Sequence, residues 1–188
     1  MLNRKLLLGA AACIAACVAA GPARASVVVL GNSDARICYE AADSPSMPGM
    51  RDLRTCDNAL INETMTTYDT VATHVNRGIL RLRMGRIDDA IGDFDRAIAM
   101  DSNQPEAYLN KGAALLRREN AAEAMSLFTM ALDRNTTRPA LAHYGRGIAN
   151  ETLGNISAAY RDYRAASQMA PNWSEPRTEL TRFRVISR

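Results

Sequence analysis

The chain has 188 residues, 47% of them hydrophobic, with 23 basic against 20 acidic side chains and a formal charge of +3. That length is one domain's worth of sequence. Arg4, Lys5 and Arg24 all lie in the first 25 residues, which hold no acid, so the remainder carries 23 − 3 = 20 basic residues against 20 acidic ones, a balance that leaves no net field to attract nucleic acid or an anionic membrane.

The first element in chain order is a targeting segment, residues 1–25. Arg4 and Lys5 make a basic start, Leu6 to Ala20 is apolar, and Ala23 and Ala25 form an A-x-A site before Ser26. This is the layout of a signal peptide, with cleavage expected after Ala25. The apolar run is too short and too rich in alanine for a transmembrane anchor. A second reading starts from "IAAC", Ile14 to Cys17, which resembles a bacterial lipobox and would place a lipid anchor on Cys17. Either way the protein is expected to be exported, to the periplasm or beyond it, or held at the membrane as a lipoprotein.

Residues 26–32, "SVVVLGN", read as an extended arm that packs on a groove or stays disordered. Residues 33–66 read as a helical hairpin. Ser33 is placed to N-cap a helix running to about Ala42, "SPSMPGM" is a Pro/Gly loop, and "RDLRTCDNALIN" returns as a second helix. Cys38 and Cys56 are the two cysteines outside the targeting segment. An even pair in an exported chain points to a disulfide, the alternative being two buried thiols. Closing that loop is worth about 3 kcal/mol in the chain-entropy model. The hairpin is expected to act as an N-terminal cap on the region from residue 67 onward.

From residue 67 to 173 the sequence repeats itself. Gly78, Gly112 and Gly147 are spaced by 34 and 35 residues (112 − 78 and 147 − 112). Ala90, Ala124 and Ala159 keep the same offsets, as do Phe94, Phe128 and Tyr163, then Ala97, Ala131 and Ala166. The extra residue before the third unit falls in "RNTTRP", a turn-like stretch. A glycine inside a helix costs about 1 kcal/mol against alanine, so its recurrence points to close helix packing. The pattern resembles the tetratricopeptide repeat, and that resemblance implies a contact of each glycine with the alanine of the following helix. Three units result, about 71–104, 105–139 and 140–173, followed by a capping helix in 174–188. Ser174 is placed to N-cap that helix, Pro176 falls in its first turn, and Leu180, Phe183 and Val185 would cover the last unit's apolar face.

Small residues and an aromatic in register at this period resemble the tetratricopeptide repeat, in which each unit is a helix–turn–helix. His74, Tyr108 and His143 stand where that family often has tryptophan, and only Pro171 keeps the proline that usually ends a unit. The resemblance implies an all-α, right-handed solenoid of three repeats. It also implies a concave groove lined by the first helix of each repeat. On this sequence the lining is Val75, Ile79, Leu82 and Arg83, then Leu109, Ala113, Leu116 and Arg117, then Tyr144, Ile148 and Glu151. Leu109, in the middle repeat, is expected to be partly exposed. Val75 and Ile79 stand where a clamp for a C-terminal carboxylate would need polar donors, so that mode is rejected. An apolar groove with a basic lip suits an amphipathic helix or an extended apolar segment, unless the chain's own arm or last helix fills it.

No catalytic motif competes with this reading: G-x-S-x-G, H-E-x-x-H and the phosphate loop are absent. His74 and His143 sit in equivalent places two repeats apart, roughly 20 Å by helix-packing distances, too far to share a metal. Asp88, Asp89, Asp93 and Asp95 are expected to spread over a solvated face, the first two complementing the helix dipole. The function expected is that of an exported, non-enzymatic module with a protein or peptide partner and no cofactor. The alternative is a lipid-anchored accessory subunit of an envelope machine.

Overall fold

The computed structural model describes residues 26–29 and 33–183. Among these residues the chain is all helical. The hairpin is α1 (Asp34–Asp43) and α2 (Met50–Asn62). Three antiparallel pairs come next: α3 (Thr67–Arg83) with α4 (Ile87–Met100), α5 (Pro105–Arg117) with α6 (Ala121–Asp133), and α7 (Pro139–Thr152) with α8 (Ile156–Met169). A short α9 (Ser174–Leu180) ends the stack. The starts are encoded locally. Thr66 and Asn120 accept hydrogen bonds from the amides of Asp69 and Glu123, while Pro105 and Pro139 open α5 and α7, where a missing N–H costs nothing.

The turn inside each pair needs one left-handed residue. Gly85 and Gly154 supply it in the first and third pairs, at φ +77° and +78°, but Glu119 holds the equivalent place in the second, at φ 61°. An L-residue with a Cβ is disfavoured there by roughly 1–2 kcal/mol. Glu119→Gly is therefore expected to stabilise the protein by about 0.5–1 kcal/mol, the gain reduced by glycine's greater freedom in the unfolded chain. Urea unfolding checks this, and a lower midpoint would refute it. The connection between pairs runs over residues 101–104 in one case and 134–138 in the next. The inserted residue thus lies in the loop. Buried Glu106 holds that loop, accepting from the Thr137 amide at 2.8 Å and from the Thr136 and Thr137 hydroxyls at 3.2 and 2.8 Å.

The repeated glycines face rings rather than alanines. A Cβ on Gly78 would lie 2.5 Å from a ring carbon of Phe94, one on Gly112 3.0 Å from Phe128, and one on Gly147 2.8 Å from Tyr163. The contact expected with Ala90, Ala124 or Ala159 is thus made by the aromatic one turn later. Those alanines are fully buried beside it. Gly145, outside the register of the other three, makes the tightest approach, 2.4 Å from Phe128.

Both ends of the stack are closed. The Cys38 and Cys56 sulfurs are bonded, tying α1 to α2 with Cα atoms 4.9 Å apart. After removal of the targeting segment, thiol labelling of unfolded protein without reductant is expected to find no free cysteine; two per chain would overturn the pairing. Val27 and Val29 of the arm are buried in the same core as Val71, Val75 and Ile79 of α3. At the far end α9 begins at Ser174, with Trp173 rather than Ser174 as its N-cap. It stops at Leu180, and Val185, expected to help cover the last unit, lies outside the described residues. Phe183 comes after it in a turn and packs on Tyr160 and Tyr163, with ring centroids 5.7 and 5.9 Å apart.

Candidate interaction face

The first helices α3, α5 and α7 carry the eleven residues expected to line the groove. Val75, Ile79, Leu82, Leu109, Leu116 and Tyr144 are buried, and Leu109 is 1% exposed rather than half open. The hairpin and arm cover the first repeat. Tyr144 is enclosed by Tyr163 and Trp173, with centroids 5.6 and 4.8 Å away. Glu151 is engaged as well: it accepts from the Tyr163 hydroxyl at 2.8 Å and pairs with Arg182 at 2.7 Å. These side chains therefore do not form an open apolar trough along three repeats. They are core, because the small repeat bodies have little other apolar surface to bury. Arg83, Ala113, Arg117, Ile148 and Glu151 are half-buried.

The two arginines of this face donate to backbone carbonyls. Arg83 donates to the carbonyls of Ala41, Ala42 and Ser44 at 3.5, 3.4 and 3.1 Å, and to that of Ser46, capping the end of α1. Arg117 donates to the Leu82 carbonyl. Burial pushes its pKa below the ordinary guanidinium value. No carboxylate among the described residues pairs with it.

Asp88, Asp89 and Asp95 of α4 are exposed as expected, but Asp93 departs from that solvated face and forms the centre of a second cluster. Asp93 is fully buried. Arg77 donates to it through Nε at 3.0 Å and Nη2 at 2.6 Å, Arg81 through Nη1 at 2.6 Å, and His74 Nδ1 lies 3.2 Å away. Arg77 also reaches Asp57 of α2 at 2.7 Å. The third repeat copies the arrangement. Asp162 takes Arg146 at 2.7 and 3.0 Å and Asn150 at 3.1 Å, with His143 Nδ1 at 2.9 Å. Burial alone would raise both carboxyl pKa values; hydrogen bonds from the histidines and arginines, with the arginine charges, hold them below the usual range. Each oxygen is already taken by donors, so neither carboxylate is free to act as a base. Their work is to fix the first helix of a repeat against the second. The signal for this cluster is in the sequence: His and Asp recur 19 residues apart in repeats one and three, and both are missing from repeat two, where Tyr108 and Leu127 stand.

Among the described residues no helix is long and apolar enough to cross a membrane, and no group of three or more His, Cys, Asp or Glu is placed to hold a metal ion.

Helix pairs of this length, stacked with glycine-to-ring contacts at a period of 34 or 35, define a tetratricopeptide-type α-solenoid. The family comparison agrees: the tetratricopeptide repeat profile matches residues 75–139. A curated relative, the tetratricopeptide repeat protein 36 homolog of Drosophila pseudoobscura pseudoobscura, is 29% identical over 129 residues, 63% of this chain and 69% of its own. Two similar solved structures are the first TPR of Spaghetti (RPAP3) bound to the HSP90 peptide SRMEEVD and the first TPR domain of human RPAP3. Each is 25% identical, covering 60% of this chain and 88% or 87% of the other, at TM-scores of 0.57 and 0.56.

Proposed function

We propose that this chain is an exported, non-enzymatic interaction module whose first-helix face takes up a segment of a protein partner. The observation that carries it is Arg117, a half-buried cation with no ion pair among the described residues, on a first helix that also carries half-buried Ala113, with half-buried Ile148 on the first helix of the next repeat. A partner segment that brings a carboxylate to Arg117 and apolar groups to its neighbours supplies what the face lacks. Support for a peptide ligand comes from the similar structure that holds one. A clamp with polar donors at Val75 and Ile79 is not part of this reading, because both are buried apolar residues. Export rests on the basic, apolar and A-x-A pattern of residues 1–25 and on the bonded cysteine pair.

The test is site-specific photocrosslinking from Ile148 in the nuclease-treated envelope fraction, in wild type and Arg117→Gln. A discrete protein adduct that weakens at least tenfold in the variant, at unchanged helix content, supports the reading. Adducts that are unaffected by Arg117→Gln move the binding surface elsewhere. A lipid-modified Cys17, seen by mass spectrometry, would favour the accessory lipoprotein.

A further inference from the structure

We infer that the arm is a resident ligand: it closes the first repeat's share of the first-helix face, and an extended segment of a partner, with apolar side chains two residues apart, docks there by displacing it. The inference rests on the reading of that face as the binding surface, and adds where the segment enters and what conformation it takes. The arm itself shows what the seat accepts. Its Val27 amide donates to Asn76 Oδ1 at 2.9 Å, and Asn76 Nδ2 donates back to the Val27 carbonyl at 2.7 Å. Val27 and Val29 are buried in one core with Val71, Val75 and Ile79 of α3, while Val28 between them is 46% exposed. That is the alternation of an extended chain held on one face.

The grip on Val27 selects a conformation. In extended backbone the N–H and C=O of one residue point to the same side, where one carboxamide can bond both. In a helix they point in opposite directions along the axis and are taken by residues four away. Asn76 therefore reads a strand and rejects a helix. It reads backbone, so sequence preference falls to the two apolar seats. Asn76 is fully buried, and an empty seat would cost it the partners of both its polar atoms. A second extended backbone restores them.

The arm is also separable from the repeat beneath it. The Phe94 ring against Gly78, and Arg77 and Arg81 on Asp93, hold α3 to α4. None of these contacts passes through the arm. Besides the valines and Asn76, Ser26 Oγ donates to Asp43 Oδ1 at 2.8 Å. Two buried valines and three hydrogen bonds are set against the entropy of fixing four residues, and these terms are of similar size. A segment of the same form that brings further contacts along the face therefore competes with the arm.

Two measurements test this. Hydrogen exchange on the isolated protein compares the Val27 amide with those in the middle of α3. Val27 is expected to exchange at least tenfold faster, because the arm lifts while the repeat stays folded. Exchange of both at one rate would make the arm a fixed part of the core and overturn the inference. The second measurement is the binding of a fluorescent peptide of the arm's sequence, Ser26 to Gly31, to the full chain and to its Val27→Asp/Val29→Asp variant, in which the arm is unseated. The peptide is expected to bind the variant at least tenfold more tightly than wild type, since no resident segment competes. It should lose that binding when N-methylated at the Val27 position. No gain in affinity over wild type, binding that survives N-methylation, or a variant that loses its helix content would each overturn the inference. The Arg117 reading is decided separately, by crosslinking from Ile148.

Discussion

Asp93→Leu is expected to destabilise the protein by about 3–5 kcal/mol, the cost of leaving buried charges without their counter-ion. Arg77 and Arg81 would remain where they are, with no carboxylate between the helices. The second repeat suggests how to restore the loss. It has Tyr108, Lys111 and Leu127 at the places of His74, Arg77 and Asp93, and it packs well with an apolar side chain where Asp93 stands. The triple replacement His74→Tyr, Arg77→Lys and Asp93→Leu should therefore recover much of what the single change loses. Acid adds a second readout. A carboxylate whose pKa is lowered on folding contributes stability that is present above the unfolded value, about 3.9, and lost as pH falls through the folded one. Wild-type stability should drop below about pH 4, and the triple variant should lose less. Urea melts at pH 7 and pH 3 decide. If the single variant is as stable as wild type, the buried cluster is not holding α3 to α4.

The glycines give the second large effect, and its order is more telling than its size. Leucine at Gly78, Gly145 or Gly147 is expected to cost about 2 kcal/mol or more through overpacking. Alanine separates packing from flexibility. At Gly145 and Gly78 a Cβ would sit 2.4 and 2.5 Å from rings that are almost wholly buried, so something in the core must move. Alanine should destabilise at both. At Gly112 the nearest ring carbon is 3.0 Å away, and the gain of about 1 kcal/mol in helix propensity roughly cancels the strain. A set of alanine variants melted side by side tests this. If glycine were there for flexibility, alanine would stabilise at all of these sites.

The sequence makes legible whatever repeats. The 34- and 35-residue spacing locates the helix pairs, because each pair must present the same faces to its neighbours. The loop that absorbs the extra residue is legible for the same reason. Hydrophobic pattern does not reveal which apolar face is open. Leu109 and Val75 look alike on a groove or in a core, and only the packing around them, such as the hairpin and arm over Val75, decides. Asp93 is hidden because it lies among three other aspartates on one short helix, and charge in a run suggests solvent. Asp88, by contrast, is well exposed. The aromatic at the glycine contact is in the repeated pattern, as is the alanine that lies beside it. Spacing shows that residues matter to a helix pair without showing which touches which.

Phe128 is packed against Gly112 of its own repeat and Gly145 of the next, whereas Phe94 faces Gly78, and Asn110 holds the place equivalent to Gly145 in the second repeat. In a linear array, stability is the sum of each unit's own folding and its coupling to neighbours. A side chain shared by two units belongs to the coupling. The second and third repeats should therefore open together, with α6 and α7 exchanging their amides at one common free energy, while the first repeat opens with the disulfide-bonded hairpin whose core it shares. The chain counts as three repeats by its sequence and as two cooperative blocks by its contacts.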